Sequence, residues 1–161
     1  MEKKYKLTDE TINLCGKKLC RIKALKDFED VKKGDKGGFI EDEHNLSHDG
    51  NSWVCGDAMV YGNAMVCGNA MVCGDAMVCG NAWVYGNIKI ENNFDYIVFK
   101  NWWSSGRYFT WTRRNDMWKV GCFYGTGEEL IKKAYKDSEL SGRQYERIVK
   151  YVEEIKKENG E

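Results

Sequence analysis

NSWVCG (51–56), DAMVYG (57–62), NAMVCG (63–68), NAMVCG (69–74), DAMVCG (75–80) and NAWVYG (81–86) follow one another without a break, and these six hexads decide the fold. Six residues make under two turns of α-helix, too few for a helical hairpin, but they suffice for one short strand and one corner. The Gly and the Asn or Asp of each hexad suit the corner, because Gly accepts positive φ and Asn or Asp tolerates it. Strand alternation then sorts the remaining residues onto two faces. Ala and Val point one way and line a narrow interior, while Met or Trp and Cys or Tyr point outward. A meander of hairpins is the competing arrangement, but identical corners every six residues do not fit strands that reverse.

Looser hexads flank the array at 45–50 and 87–92. An aliphatic residue followed four places later by a small one (Val54 with Ala58, Val60 with Ala64, Val66 with Ala70, Val72 with Ala76, Val78 with Ala82) resembles the unit of hexapeptide-repeat proteins. The resemblance implies a left-handed parallel β-helix of about two to three coils. In that class three hexads make a coil, so residues 18 apart stack: Trp53 under Met71, Met59 under Met77, Met65 under Trp83, Cys55 on Cys73. Residues 51–87 contain no Lys or Arg. Outward rows of Met, Trp, Tyr and Cys on every side require a cover: the rest of the chain, a second copy or another partner. Trp53, Met59, Met65, Met71, Met77 and Trp83 are accordingly the expected interface of a homo-oligomer.

The chain has 161 residues with 25 basic and 25 acidic side chains, so no global charge points to nucleic acid or membrane. It has 17 glycines and no proline. No apolar run is long enough to span a bilayer and the N-terminus leads into no signal-type core, so a cytoplasmic protein that binds no membrane is expected. Seven cysteines are present. Four of them, Cys55, Cys67, Cys73 and Cys79, alternate with Tyr61 and Tyr85 in one register, which predicts reduced cysteines used for bulk. His44 and His48 make no recognised ligand spacing with a cysteine, so neither metal nor cofactor is expected.

Residues 1–44 read as an N-terminal β cap, 45–92 as the repeat body and 93–161 as a C-terminal α+β module. Leu19–Leu25 alternates like a strand, Asp27–Lys33 reads as a short helical turn closed by Gly34, and Gly37-Gly38-Phe39-Ile40 returns as extended chain. The positions Ile22, Asp27-Phe28, Val31-Lys32, Gly37-Gly38-Phe39, Asn45-Leu46-Ser47 and Gly50 resemble the entry segment of a hexapeptide subgroup common in bacteria, phages and prophages. In the module, 94–100, 107–112 and 116–123 read as strands. Two capping boxes, Thr126 with Glu129 and Ser141 with Gln144, open two helices. The result is a mainly β protein with a C-terminal βββαα module.

Residues 100–119 carry Lys100, Arg107, Arg113, Arg114 and Lys119 against Asp116, a net charge of +4, interleaved with Trp102, Trp103, Tyr108, Phe109, Trp111 and Trp118. Guanidinium groups beside aromatic faces suit phosphate contact and base stacking. Arg107, Trp111, Arg113, Arg114, Trp118 and Lys119 are therefore the candidate partner-binding set, for a host protein or for nucleic acid or a nucleotide. The same aromatics serve equally as core or as a cover for the coils. No catalytic residue is assigned. Hexapeptide acyltransferases carry a coil-edge histidine and a loop between coils, whereas here no histidine follows His48 and no insertion interrupts 51–86. The sequence thus points to a non-enzymatic binding protein, and by the phage resemblance to an accessory inhibitor of a host defence system. The alternative is an acyltransferase of the hexapeptide class.

Overall fold

The structure is a computed structural model that describes residues 2–161. The chain opens with a hairpin, β1 (Tyr5–Leu14) and β2 (Lys17–Ala24), paired antiparallel. Cys15 and Gly16 make the two-residue turn with φ of +51° and +82°, the left-handed geometry that matches strand twist. β3 (Lys36–Ile40) pairs with β2, and a 3₁₀ turn (Glu43–Asn45) capped by Asp42 leads into the repeats. Between β2 and β3 the expected helical turn at Asp27–Lys33 is absent. Phe28 and Val31 instead bond each other's backbone, and the Asp27 carboxylate accepts from the Lys33 N–H across the loop. Asp27 therefore closes a turn rather than capping a helix.

Each hexad supplies one two-residue strand: β4 (Trp53–Val54), β5 (Met59–Val60), β6 (Met65–Val66), β7 (Met71–Val72), β8 (Met77–Val78) and β9 (Trp83–Val84), with β10 (Lys89–Ile90) from the following looser hexad. Among themselves they pair parallel at an offset of 18 residues, and β3 joins β5 at an offset of 20, in three ladders that the chain visits in rotation: β4–β7–β10, β3–β5–β8 and β6–β9. Glycines spaced by six, from Gly50 to Gly86, all have φ between +63° and +88°, so each corner uses the conformation glycine alone adopts without penalty. The Val of every hexad and the Ala of the last five are buried, as are Ile90, stacked on Val72 at the 18-residue offset, and Leu46, which bridges Val66 twenty residues on. The core of the body is a stack of small and branched aliphatic side chains. Cys55 and Cys73, one above the other with Cα atoms 4.7 Å apart, are joined as a disulfide, which corrects the expectation of reduced cysteines for that pair. The other five are free.

Both ends of the ladders are closed by side chains. At the N-terminal end, the fully buried Lys4 ammonium donates to the Ser52 carbonyl (2.7 Å), Ser52 Oγ (3.2 Å) and the Gly50 carbonyl (3.3 Å), and the Tyr5 hydroxyl donates to the Leu46 carbonyl (2.7 Å). At the C-terminal end, the last amides find acceptors from the following segment. Met77 N–H donates to Asn93 Oδ1, Trp83 N–H to Thr110 Oγ1, and the Glu91 and Asn92 N–H groups to the Asp95 carboxylate, at 2.8–3.2 Å. Exposed ladder ends invite further strand pairing, and these contacts occupy part of each end.

The C-terminal module is a four-stranded antiparallel sheet, β11 (Tyr96–Lys100), β12 (Tyr108–Thr112), β13 (Met117–Val120) and β14 (Phe123–Gly125), followed by α1 (Gly127–Asp137) and α2 (Glu139–Glu158). The fourth strand is an addition to the expected three. Thr126 and Glu129 form the expected capping box. Ser138, not Ser141, caps α2: it accepts from the Ser141 N–H, so the helix begins one turn earlier than expected. One face of the sheet packs Phe109, Trp111 and Trp118 against Leu130, Ala134, Tyr145, Val149 and Val152 of the helices. Its other face, with Tyr96, Val98 and Thr110, lies against the last repeats. Among the described residues, no helix is long and apolar enough to cross a membrane.

Candidate partner-binding site

The sheet divides the basic aromatic stretch among three environments. Trp111 and Trp118 are on the helix-facing side and buried, Trp118 to 1% exposure, so neither ring presents a face to a ligand. Trp111 donates its indole N–H to the Asp116 carboxylate (2.8 Å). Lys119, on the opposite side, is buried between module and repeat body. Its ammonium sits 4.3 Å from the centre of the Trp83 ring and 4.5 Å from that of Tyr85. This cation–π contact glues the two parts together.

Arg113 and Arg114, in the β12–β13 turn, are exposed but occupied. Arg113 pairs with Glu161. Arg114 reaches Glu91 (2.7 Å) and the buried Asp95 (3.1 Å), tying the turn to the end of the ladders. The facing carboxylates raise both guanidinium pKa values above their ordinary range. Of the six residues singled out by sequence, only Arg107 is both exposed and free of a carboxylate among the described residues. The fold therefore scatters the set rather than gathering it.

Around Arg107 a different group does converge, at the tip of the β11–β12 hairpin. Asn101 is buried and builds the turn: its Oδ1 accepts from the Ser104 N–H and hydroxyl (3.0 and 3.1 Å), and its Nδ2 donates to the Tyr145 hydroxyl (3.0 Å). The Asn101 N–H also bonds the Arg107 carbonyl across the base of the tip (2.8 Å). Trp103 anchors the loop inward, edge-on to Tyr145 at 5.0 Å, with its indole N–H on Ser141 Oγ. Trp102 points the other way and is 77% exposed. Tyr108 is exposed beside it, with the Lys100 ammonium 5.4 Å from its ring centre. A shallow depression of about 470 Å³ opens next to the tip, lined by Ser104, Ser105, Arg107, Cys122 and the Lys133–Asp137 ion pair among others. Trp102, Lys100 and Tyr108 stood in the sequence stretch but outside the chosen six. Their signal was the Ser104-Ser105-Gly106 turn, which sets the neighbouring residues at a hairpin tip.

The outward residues of the repeats are partly covered by the chain itself. Trp53 is buried edge-on against Tyr5 and Phe28, and Trp83 lies under Lys119. Met59, Met71 and Met77 are half-buried and Met65 is exposed. With both tryptophans covered, the apolar rows do not by themselves require a second copy. His48 is stacked on Tyr5 and accepts from the Lys4 N–H (3.2 Å); His44 bonds the Gly62 carbonyl (2.8 Å) at an exposed corner. The two histidines lie on the closing turn of the N-terminal cap, and both serve its hydrogen bonding.

No protein-family model matches the chain, and no curated protein matches it.

Proposed function

We propose that this is a non-enzymatic binding protein in which a closed, two-coil left-handed β-helix acts as a rigid pedestal for the C-terminal module. In this reading the β11–β12 hairpin tip engages an anionic partner. The observation that carries it is the tip itself. A preorganised turn holds the Trp102 indole in solvent, flanked by the only cations of residues 96–115, Lys100 and Arg107, that have no carboxylate partner. Exposing a large aromatic ring on a rigid support forgoes roughly 1.5–3 kcal/mol of burial, and exposed Trp, Tyr and Arg on rigid loops are the side chains that dominate binding surfaces. The resemblance of residues 20–90 to a subgroup frequent in phages and prophages suggests the setting: an accessory protein that blocks a host defence system from the host cytoplasm.

The test is affinity capture from bacterial lysate with the wild-type protein and with Trp102→Ala and Arg107→Glu variants, each checked for an unchanged melting temperature. The reading expects a captured species, protein or nucleic acid, that both variants lose. Capture that is identical in all three proteins removes the tip from the mechanism.

A further inference from the structure

Given the tip as the binding element, we infer that its ligand is single-stranded nucleic acid, with a base stacked on the Trp102 indole and the flanking phosphates held by Lys100 and Arg107. The inference rests on the proposed function above and adds the chemistry of the ligand. Three observations favour it over an acidic protein surface. First, residues 96–115 contain no carboxylate, and the fold neutralises Arg113 and Arg114 while leaving Lys100 and Arg107 free. The surplus positive charge is thus confined to the residues next to the exposed rings. Second, the two rings available at the tip, Trp102 and Tyr108, are exposed planar surfaces, Trp102 touched edge-on by Trp103. A protein hot spot is ringed by side chains that exclude water, whereas base stacking needs only a ring and is served by cations alongside. Third, the tip projects as a narrow hairpin beside a shallow depression, with Ser104 and Ser105 hydroxyls on its rim. An unpaired strand can wrap such a knob, but a duplex, whose bases are already stacked on one another, presents no free base face to it.

The magnitudes are modest and specific. One base–aromatic stack corresponds to about a ten- to hundred-fold change in affinity on alanine substitution. Two phosphate contacts on a single strand give a slope of about −1.4 for the logarithm of affinity against the logarithm of salt, or about seven-fold weakening between 50 and 200 mM.

The experiment is fluorescence anisotropy of the intact protein with 5′-labelled oligo-dT and oligo-rU of fifteen nucleotides. The same sequence as a duplex and unlabelled heparin, a polyanion without bases, serve as competitors. The expected result is binding to the single strands that Trp102→Ala weakens ten-fold or more and Trp102→Phe largely restores. Lys100→Ala with Arg107→Ala should flatten the salt slope toward zero. Heparin competing as well as unlabelled oligonucleotide, with Trp102→Ala unchanged, overturns the inference in favour of plain charge attraction. Absence of oligonucleotide binding, while lysate capture still yields a tip-dependent protein, overturns the inference and leaves the broader reading standing. Loss of both overturns both.

Discussion

Lys4 makes the most quantitative prediction. Its ammonium is fully buried at the N-terminal end of the ladders, among the Ser52 and Gly50 carbonyls and Ser52 Oγ, with the Phe28 ring 5.2 Å away. Burial lowers its pKa from 10.5 to about 8, and Lys26 adds to the lowering while Asp49 and Cys67 oppose it. A cation whose pKa falls on folding binds its proton less tightly in the folded state. The resulting cost is fully present below pH 8 and is relieved as pH climbs toward 10.5. Between pH 7 and pH 10 the relief amounts to about 2 kcal/mol once screening at this end of the body is allowed for. Lys4→Met keeps most of the volume and removes the titration. The wild type should therefore gain about 2 kcal/mol on the variant between pH 7 and pH 10, which for a chain of this size is about 4–8 °C in Tm. Paired thermal or urea melts at the two pH values measure it. Other groups, including the Tyr5 hydroxyl whose pKa burial raises, titrate in both proteins and cancel in the difference. A gap that stays constant, or that moves in favour of the variant, would refute the claim that this ammonium is held against its solvation.

Three further outcomes follow from the packing. Asp95→Ala removes one carboxylate from two amides and from Arg114, and charge-assisted bonds of this kind imply a loss of about 3–5 kcal/mol; amide exchange at Glu91 and Asn92 should accelerate in step. Lys119→Ala should cost about 2 kcal/mol in urea unfolding by deleting the ammonium between Trp83 and Tyr85, and Lys119→Met, which keeps the stem, should recover only the packing share. Ala70→Leu places a large side chain in the filled interior and should cost about 3 kcal/mol or prevent folding, whereas Met71→Leu, on the outward side of the same hexad, should stay under about 1.5 kcal/mol in the same assay.

How far the chain could be read in advance depended on whether a feature was periodic. Val54, Val60 and their successors repeat a local pattern, and a pattern repeated in phase leaves one pairing offset; the ladders fall at 18 residues as the stacking of Trp53 with Met71 required. The caps are not periodic. Lys4 and Tyr5 act on carbonyls some forty residues away, and Asp95 on the end of a ladder, contacts that no local spacing encodes. Asp27 and Ser141 show the limit of capping signals: each has the right side chain, but tertiary packing set one in a bonded loop and the other inside a helix already started by Ser138. The candidate site dispersed for a related reason. Alternation along β12 puts Phe109 and Trp111 on one face and Tyr108 on the other, but that both faces of the sheet would be buried, one by helices and one by the repeats, could not be read from the strands alone.

The rotation of the chain through three ladders makes length a discrete variable. Lengthening the body by one hexad advances every later strand to the neighbouring ladder, so Asn93, Asp95 and Thr110 would arrive out of phase with the amides they satisfy, and the hairpin tip would be indexed to a different flank. Only steps of eighteen residues return each later strand to the ladder it now joins. Under the proposed function the repeat array would act as a ratcheted spacer: in evolution or by design, the tip would be carried farther from the N-terminal cap in steps of three hexads, and re-aimed by any other count.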